Sequence, residues 1–342
     1  MKEISTIGVD IAKHVFQVDG GDGAGKNVLR RQLRRSEFLK FFRGLPRCVV
    51  GMEACAGAHH WGRELAALGH EVRLLPPTRV KAYVSRGRKN DSADAAACRE
   101  AMSRPSMKFV PLKTVEQQAA LALHRARDLL IGQRTQLRNA IRGHLAEFGV
   151  VAVKGESGFK ALLALLGRGD DTIVPAAIRP VLAPLVAQWH TAVEQIDALE
   201  RQIAAWHKAS SDSRRVATIP QFGPIIASAF VATVSEPARF KNGRQCSAWI
   251  GLVPSQNSTG GKTRLGPITK AGDRYLRQLL VVGASGLIRR VRKDPTVSPW
   301  VAELLKRMPA KKAAIAVANK MARTAWAVLV SGQAYQPRTA KP

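Results

Sequence analysis

Four carboxylates are the residues whose type and spacing could do chemistry in this sequence: Asp10, Glu53, Asp91 and Asp94. The last two lie in the stretch Arg88-Lys89-Asn90-Asp91-Ser92-Ala93-Asp94-Ala95, three apart, which puts them on one face of a helix. A helix starting near Asp91 would hold both in its first turn, beside free backbone N–H groups. Taken alone, the pair also reads as an N-cap and a charge that complements the helix dipole. Asp10 and Glu53 each follow an apolar strand, at the carboxyl ends where open α/β sheets place their active groups. A strand-terminal acid is equally at home as a turn residue. Four carboxylates converging on one point repel one another unless a cation neutralises them. Hard oxygen ligands in that number suit Mg²⁺, or Mn²⁺. Two such ions a few ångströms apart would polarise a phosphodiester and stabilise both the entering and the leaving oxygen.

The elements that must position these acids alternate in type. Residues 3–9 read as a strand ending at Asp10, and 13–19 alternate polar and apolar as a paired second strand would. The run Gly20-Gly21-Asp22-Gly23-Ala24-Gly25 lacks the spacing of a phosphate-binding loop and reads as a connection to a third strand near 27–31. Ser36 is placed to cap a helix through Phe42, and 48–52 form a short buried strand with Glu53 directly after it. A helix over 58–68, a strand over 71–75 and a helix over 78–84 continue an α/β alternation.

Charge narrows the partner. The 342 residues include 54 Lys and Arg against 25 Asp and Glu, a formal net charge of +29, which attracts a polyanion, nucleic acid first. No amphipathic anchor with a clean basic face appears, no run reaches transmembrane length, and the N-terminus lacks a signal-peptide core, so no membrane partner is expected. Cys48, Cys55, Cys98 and Cys246 show no paired spacing, which argues against a zinc site or disulfide framework and for a reduced, cytoplasmic chain.

From about Lys113 long helices take over. Leu130, Leu137, Ile141, Leu145 and Phe148 recur at helical spacing with Arg134, Arg138 and Arg142 between them. After a short helix at 159–166 a second seam runs Val186, Trp189, Val193, Ile196, Leu199, Ile203, Trp206. Matched seams fit an antiparallel coiled-coil hairpin, and they equally fit helices packed within one domain. A third region begins after Ser210-Ser211-Asp212-Ser213, where Ile219-Pro220-Gln221-Phe222-Gly223-Pro224 leads into an apolar helix like half of a helix-hairpin-helix unit. The stretch from Gly251 to Arg264 is too polar to pack and too rich in glycine for a helix. It reads as a loop able to approach a phosphate backbone, or as a flexible surface loop. A helix with cations on one side, including Lys270 and Arg274, is expected from 268, then basic helices near 300–308 and 311–330 and a loose tail from Gln336.

This combination resembles the insertion-sequence transposases of the family named one-ten, DEDD recombinases guided by a bridge RNA, to which pilin-gene invertases are related. The matching stretches are Gly8-Val9-Asp10-Ile11-Ala12-Lys13, Glu53-Ala54, Lys89 to Ala95, Ile219-Pro220-x-x-Gly223-Pro224, Ala248 to Pro254 and Ser258-Thr259-Gly260-Gly261, in family order. The resemblance implies a ribonuclease-H-like (RuvC-like) α/β domain over 1–112 with Asp10, Glu53, Asp91 and Asp94 as Mg²⁺ ligands. It further implies a helical coiled-coil region over 113–210 and a mainly α transposase domain over 211–335 bearing a nucleophilic serine, with 336–342 as the tail. Ser258 matches the family serine best. Thr259 intervenes before Gly260, which keeps Ser255 as the alternative, and Gln221 stands where the family commonly has glycine.

A serine hydroxyl is a poor nucleophile at neutral pH and needs activation. Set against phosphate it would form a phosphoserine link that conserves bond energy for rejoining. The implied partners are donor and target DNA, a guide RNA and further copies of the chain, as a dimer or tetramer, with active sites shared between subunits. Lys89, Arg134, Arg138, Arg142, Lys262, Arg264, Lys270 and Arg274 are the candidate phosphate contacts, while base pairing would choose the sequence. Three rivals explain part of this: a junction-resolving or ribonuclease-H-type nuclease that uses water, an actin-like sugar kinase, and a non-catalytic nucleic-acid-binding protein.

Overall fold

The computed structural model describes residues 4–83, 91–169 and 171–337. The chain divides after Val115 into two compact units. In the first, β1 (Thr6–Ile11), β2 (Val15–Gly21) and β3 (Asn27–Arg34) form an antiparallel meander, and β4 (Val49–Glu53) and β5 (Glu71–Leu75) extend it parallel to β1, in the order β3-β2-β1-β4-β5. Short turns allow the first three strands to run antiparallel, whereas β4 and β5 need crossovers. Those crossovers carry α1 (Phe38–Arg43) and α2 (Ala58–Ala67) on one face of the sheet. The face they cover is aromatic: Phe16 meets Phe38 and Trp61 edge-on, with ring centroids 4.7 and 5.2 Å apart. After α3 (Pro77–Val80), α4 (Asp91–Met102) covers the other face through Ala97, Cys98, Ala101 and Met102.

Ser36 does not cap α1. Glu37 holds that position, and its carboxylate accepts the Arg34 backbone N–H at 3.0 Å instead. Asp91 is the first residue of α4 and so shares the first turn with Asp94.

The second unit is helical apart from one small hairpin. Its first half contains α5 (Val115–Ala146), α6 (Glu156–Arg168) and α7 (Arg179–Ala209). The apolar seams close around α6, where Ile141 and Leu145 of α5 and Leu182 and Trp189 of α7 meet Phe159 and Leu162 in one core. Then follow α8 (Ser211–Val216), α9 (Pro224–Thr233), α10 (Gly243–Ile250), the strands β6 (Pro254–Gln256) and β7 (Leu265–Ile268), α11 (Arg274–Lys293), α12 (Pro299–Arg307) and α13 (Ala310–Ser331). A larger core joins α9, α10, α11 and α13.

Two expectations change here. The helix expected from 268 begins at Arg274, because Lys270 adopts a left-handed φ of 55° and Asp273 caps α11 by accepting the Leu276 N–H at 2.7 Å. By length and composition α13 could also cross a membrane, contrary to the expectation that no run would. Its alanine-rich face from Ala313 to Ala325 instead lies in the core of this unit.

Gln221, between α8 and α9, has a φ of 71°. A side chain in that region costs about 1–2 kcal/mol that glycine avoids. Gln221→Gly should therefore melt no lower than the parent, while Gln221→Val should lose about 1–2 kcal/mol, since a β-branched residue fits this region worst. Equal melting temperatures for the two variants would show that the position carries no strain.

Candidate active site

Strand register begins the site. In the parallel pair β1–β4, Gly8 lies beside Gly51 and Val9 beside Met52, so Asp10 and Glu53 come next on neighbouring strands. Residues two apart on a strand share a face. Gly8 and Asp10 therefore face the same way, as do Gly51 and Glu53. That shared face is the one α4 covers. A Cβ on Gly8 would overlap the Ala95 carbonyl and the Arg99 amide, and one on Gly51 would strike the Met102 side chain. The two glycines let α4 lie directly on the strands, which brings its first turn to the strand ends.

A buried ion pair fixes the far end of the contact. Asp19 on β2 is 1% exposed and accepts Arg99 Nε at 2.6 Å and Asn27 Nδ2 at 2.7 Å, with Arg30 3.4 Å away. Removing one partner from such a pair leaves an uncompensated buried charge.

Electrostatics shows that the four acids share one neighbourhood. Burial, then Asp94, Asp91 and Glu53 in that order, push the Asp10 carboxyl up to about 6. Cys98, one turn beyond Asp94, is held up to about 12 by burial, with Glu53 and Asp10 adding to it. Among the described residues no three His, Cys, Asp or Glu side chains are drawn tightly enough to enclose a cation. The acids thus form a negative cluster rather than a finished cage. Their donor chemistry fits a hard divalent cation, which would relieve the repulsion that adds to burial in raising Asp10.

The polar stretch expected as a loop is a β-hairpin. Pro254 pairs with Ile268 and Gln256 with Leu265, and the turn is Thr259-Gly260-Gly261-Lys262. Gly260 and Gly261 have φ of 56° and 75°, as a two-residue type I′ turn demands. A Cβ on either would meet nothing within 4 Å, so these glycines serve the turn's dihedral angles rather than a close contact. The two candidate serines differ. Ser255 is half-buried and donates its proton to the Pro267 carbonyl at 3.1 Å. Ser258 is exposed, and its Oγ accepts from Gln256 Nε2 at 2.9 Å and from the Arg264 backbone N–H at 3.3 Å.

A family model of IS110 DEDD transposases matches residues 7–149, and one described as the IS116/IS110/IS902 transposase family matches 213–298. A putative transposase of Sinorhizobium fredii is 46% identical over 98% of this chain and 87% of its own length. A probable family 20 transposase of Pseudomonas aeruginosa is also 46% identical, over 98% and 99%. The transposase for insertion sequence element IS1111A of Coxiella burnetii is 40% identical, over 98% and 92%. The chain belongs to the IS116/IS110/IS902 family of transposases. Its chemistry is the breakage and rejoining of DNA strands, its partner is DNA, and its DEDD type points to a divalent metal.

In this transposase the candidate phosphate contacts fare unequally. Lys262, Arg264, Lys270 and Arg274 are exposed. Arg142 donates to the Ala152 and Val153 carbonyls at 2.8 and 2.7 Å, and Arg138 pairs with Glu156 at 3.2 Å, so both are engaged within their own unit. Arg134 is half-buried on α5. Lys89 lies outside the described residues.

A Ser–His pair that sequence reading passed over sits in the second unit, where His124 Nε2 is 3.0 Å from Ser228 Oγ and Nδ1 is 3.1 Å from Tyr275 Oη. Ser228 gives its own proton to the Pro224 carbonyl at 2.6 Å, and burial holds His124 down to about 4. With both side chains about 1% exposed, the pair ties α5 to α9 and α11 as a neutral link. The roles of Asp19 and Arg99 were also missed. They are 80 residues apart, and only the sheet brings them together.

Proposed function

We propose that this transposase is guided by an RNA and exchanges DNA strands through a phosphoserine link made by Ser258, with Asp10, Glu53, Asp91 and Asp94 holding Mg²⁺. The observation that carries the choice of nucleophile is the contrast between the two serines. Ser255 has its proton committed to a carbonyl, whereas Ser258 stands exposed with its oxygen held by two donors. The coupling of Asp10 to the other three acids supports the metal set. Strand order β3-β2-β1-β4-β5 supports a ribonuclease-H-like, RuvC-like reading of the first domain, residues 1–112. The long helices α5 and α7 support a coiled-coil region over 113–210, and the turn between α8 and α9 a helix-hairpin-helix-like element in the domain 211–335. A net charge of +29 leaves room for RNA as well as DNA, and strand exchange calls for a homo-oligomer.

Bound Mg²⁺ would supply Lewis-acid stabilisation of the phosphodiester oxygens. The protein's own part is a transesterification. Ser258 Oγ bonds to phosphorus, the bond to the departing strand's oxygen breaks, and the serine proton ends on that oxygen. One ester replaces another, so rejoining needs no ATP. Lys262 and Arg264, on the same hairpin, offset the charge that builds on the phosphorane oxygens.

Denaturing gels of the protein mixed with DNA carrying the element's ends test this reading. Parent protein in Mg²⁺ should leave a covalent adduct that Ser258→Ala and Asp91→Ala both lose. An adduct from Ser258→Ala but not from Ser255→Ala would mean the other serine. Normal recombination by both variants would mean a hydrolytic mechanism. RNA recovered with the protein and sequenced, from cells carrying the element's flanks, tests guidance. Recombination unaffected by ribonuclease treatment would rule it out.

A further inference from the structure

We infer that Gln256 activates the serine, its side-chain amide and the Arg264 backbone N–H together forming a preset cradle for the Ser258 oxyanion. The inference rests on the reading of Ser258 as nucleophile and goes further, by assigning what lowers the cost of its deprotonation.

A serine nucleophile ordinarily hands its proton to an imidazole, a carboxylate or an amine. Among the described residues no His, Asp or Glu accepts the Ser258 proton. What the hairpin supplies is the opposite kind of partner. Gln256 Nε2 donates to Oγ at 2.9 Å and the Arg264 N–H donates at 3.3 Å. Both lone-pair directions of the hydroxyl are therefore taken by donors, and its own proton points elsewhere. Donors of this kind bind the negative oxygen more strongly than the neutral one, because hydrogen bonds to an ionised partner are roughly twice as strong.

The cradle is built into the fold of the hairpin. Gln256 is the last residue of β6 and Ser258 lies two residues beyond it, where the hydrogen bond between their side chains spans that step. Pairing of Gln256 with Leu265, and the Asn257 N–H donating to the Arg264 carbonyl at 2.9 Å, fix the two arms. The Gly260-Gly261 turn returns the chain so that the Arg264 N–H meets the serine oxygen across the hairpin. The charged side chains nearest this turn, Lys262 within it and Arg264 on the return arm, are cations and add to the same bias. In the transesterification the serine O–H bond breaks as the bond from oxygen to phosphorus forms. The proton passes to the departing strand's oxygen, so no further acid or base is consumed. Gln256 takes and gives no proton; it steadies charge on the oxygen while the proton is in transit.

Two variants test this, Gln256→Met and Gln256→Glu, read as the rate of adduct formation at saturating DNA and, separately, as DNA affinity. Both should slow the adduct step by about 10²-fold, the usual cost of losing one donor to an oxyanion, with the affinity of the uncharged Gln256→Met within about twofold of the parent. Gln256→Glu keeps the shape of the side chain and replaces the donor with an acceptor. If it matches or exceeds the parent, the serine needs a base and the cradle is wrong. Equal loss of affinity and rate in both variants would make Gln256 a scaffold residue and overturn the inference too. A normal rate in Gln256→Met, with Ser258→Ala silent, would remove Gln256 while leaving the nucleophile in place. An adduct that survives Ser258→Ala would instead mean that the nucleophile reading itself had failed.

Discussion

Gly8→Ala should silence strand cleavage although Gly8 is buried beneath α4 and has no side chain to offer DNA or metal. The added methyl would overlap backbone atoms of α4, the Ala95 carbonyl and the Arg99 amide, and no rotamer change can move these aside. The helix must lift or slide, taking Asp91 and Asp94 away from Asp10 and Glu53. Displacements of about 1 Å in catalytic groups cost about 10²-fold in rate. Overpacking a close contact costs about 1–3 kcal/mol in stability as well. Gly51→Ala should act the same way more mildly, because the obstacle there is the flexible Met102 side chain. Gly23→Ala is the control, since a Cβ there meets nothing within 4 Å. Thermal unfolding and an adduct assay on all three variants measure the effect. A Gly8→Ala protein with parental melting and parental activity would show that α4 does not need this contact.

Asp10→Asn should lose cleavage and yet, without divalent metal, be more stable than the parent above pH 6. The Asp10 carboxyl is raised to about 6, so the folded state keeps its proton through a range where the unfolded chain, near 3.8, has released it. The folded state binds more protons there, and stability falls as pH rises through that window. Below pH 4 the group is protonated in both states and contributes no difference. Above pH 6 the full cost applies, about 1–2 kcal/mol once solvent screening of a half-buried group is allowed for. Asparagine carries no such charge. Unfolding of parent and variant in chelator should therefore agree near pH 4 and diverge by pH 7, and excess Mg²⁺ should stabilise the parent alone. Parallel pH curves would show that neither burial nor its three acidic neighbours raise Asp10.

Much of this arrangement was legible in the sequence because strands with one apolar face announce themselves by period. The five strands lie close to their expected places, and α4 starts at Asp91, where two acids precede an alanine-rich run. The two Gly-x-acid patterns, Gly8-Val9-Asp10 and Gly51-Met52-Glu53, were on view but their sense was not. A glycine two residues before a strand-end acid has meaning only once a helix is known to lie on that face. The hairpin at 254–268 was hidden because its strands are short and exposed and carry no apolar alternation. Composition also could not separate arginines that face solvent from Arg142, which is spent on two carbonyls.

One edge of the sheet is closed by the bridge between Leu74 and Val110, while β3 forms the other, where Glu37 satisfies both the N–H and the carbonyl of Arg34. Arg30, Arg31 and Arg34 project from that strand on both faces. A second copy approaching edge to edge would bring these cations towards their counterparts, which disfavours pairing of the two edges, most at low salt. The same cations that suit a DNA-handling protein thereby keep its sheets from growing into one another.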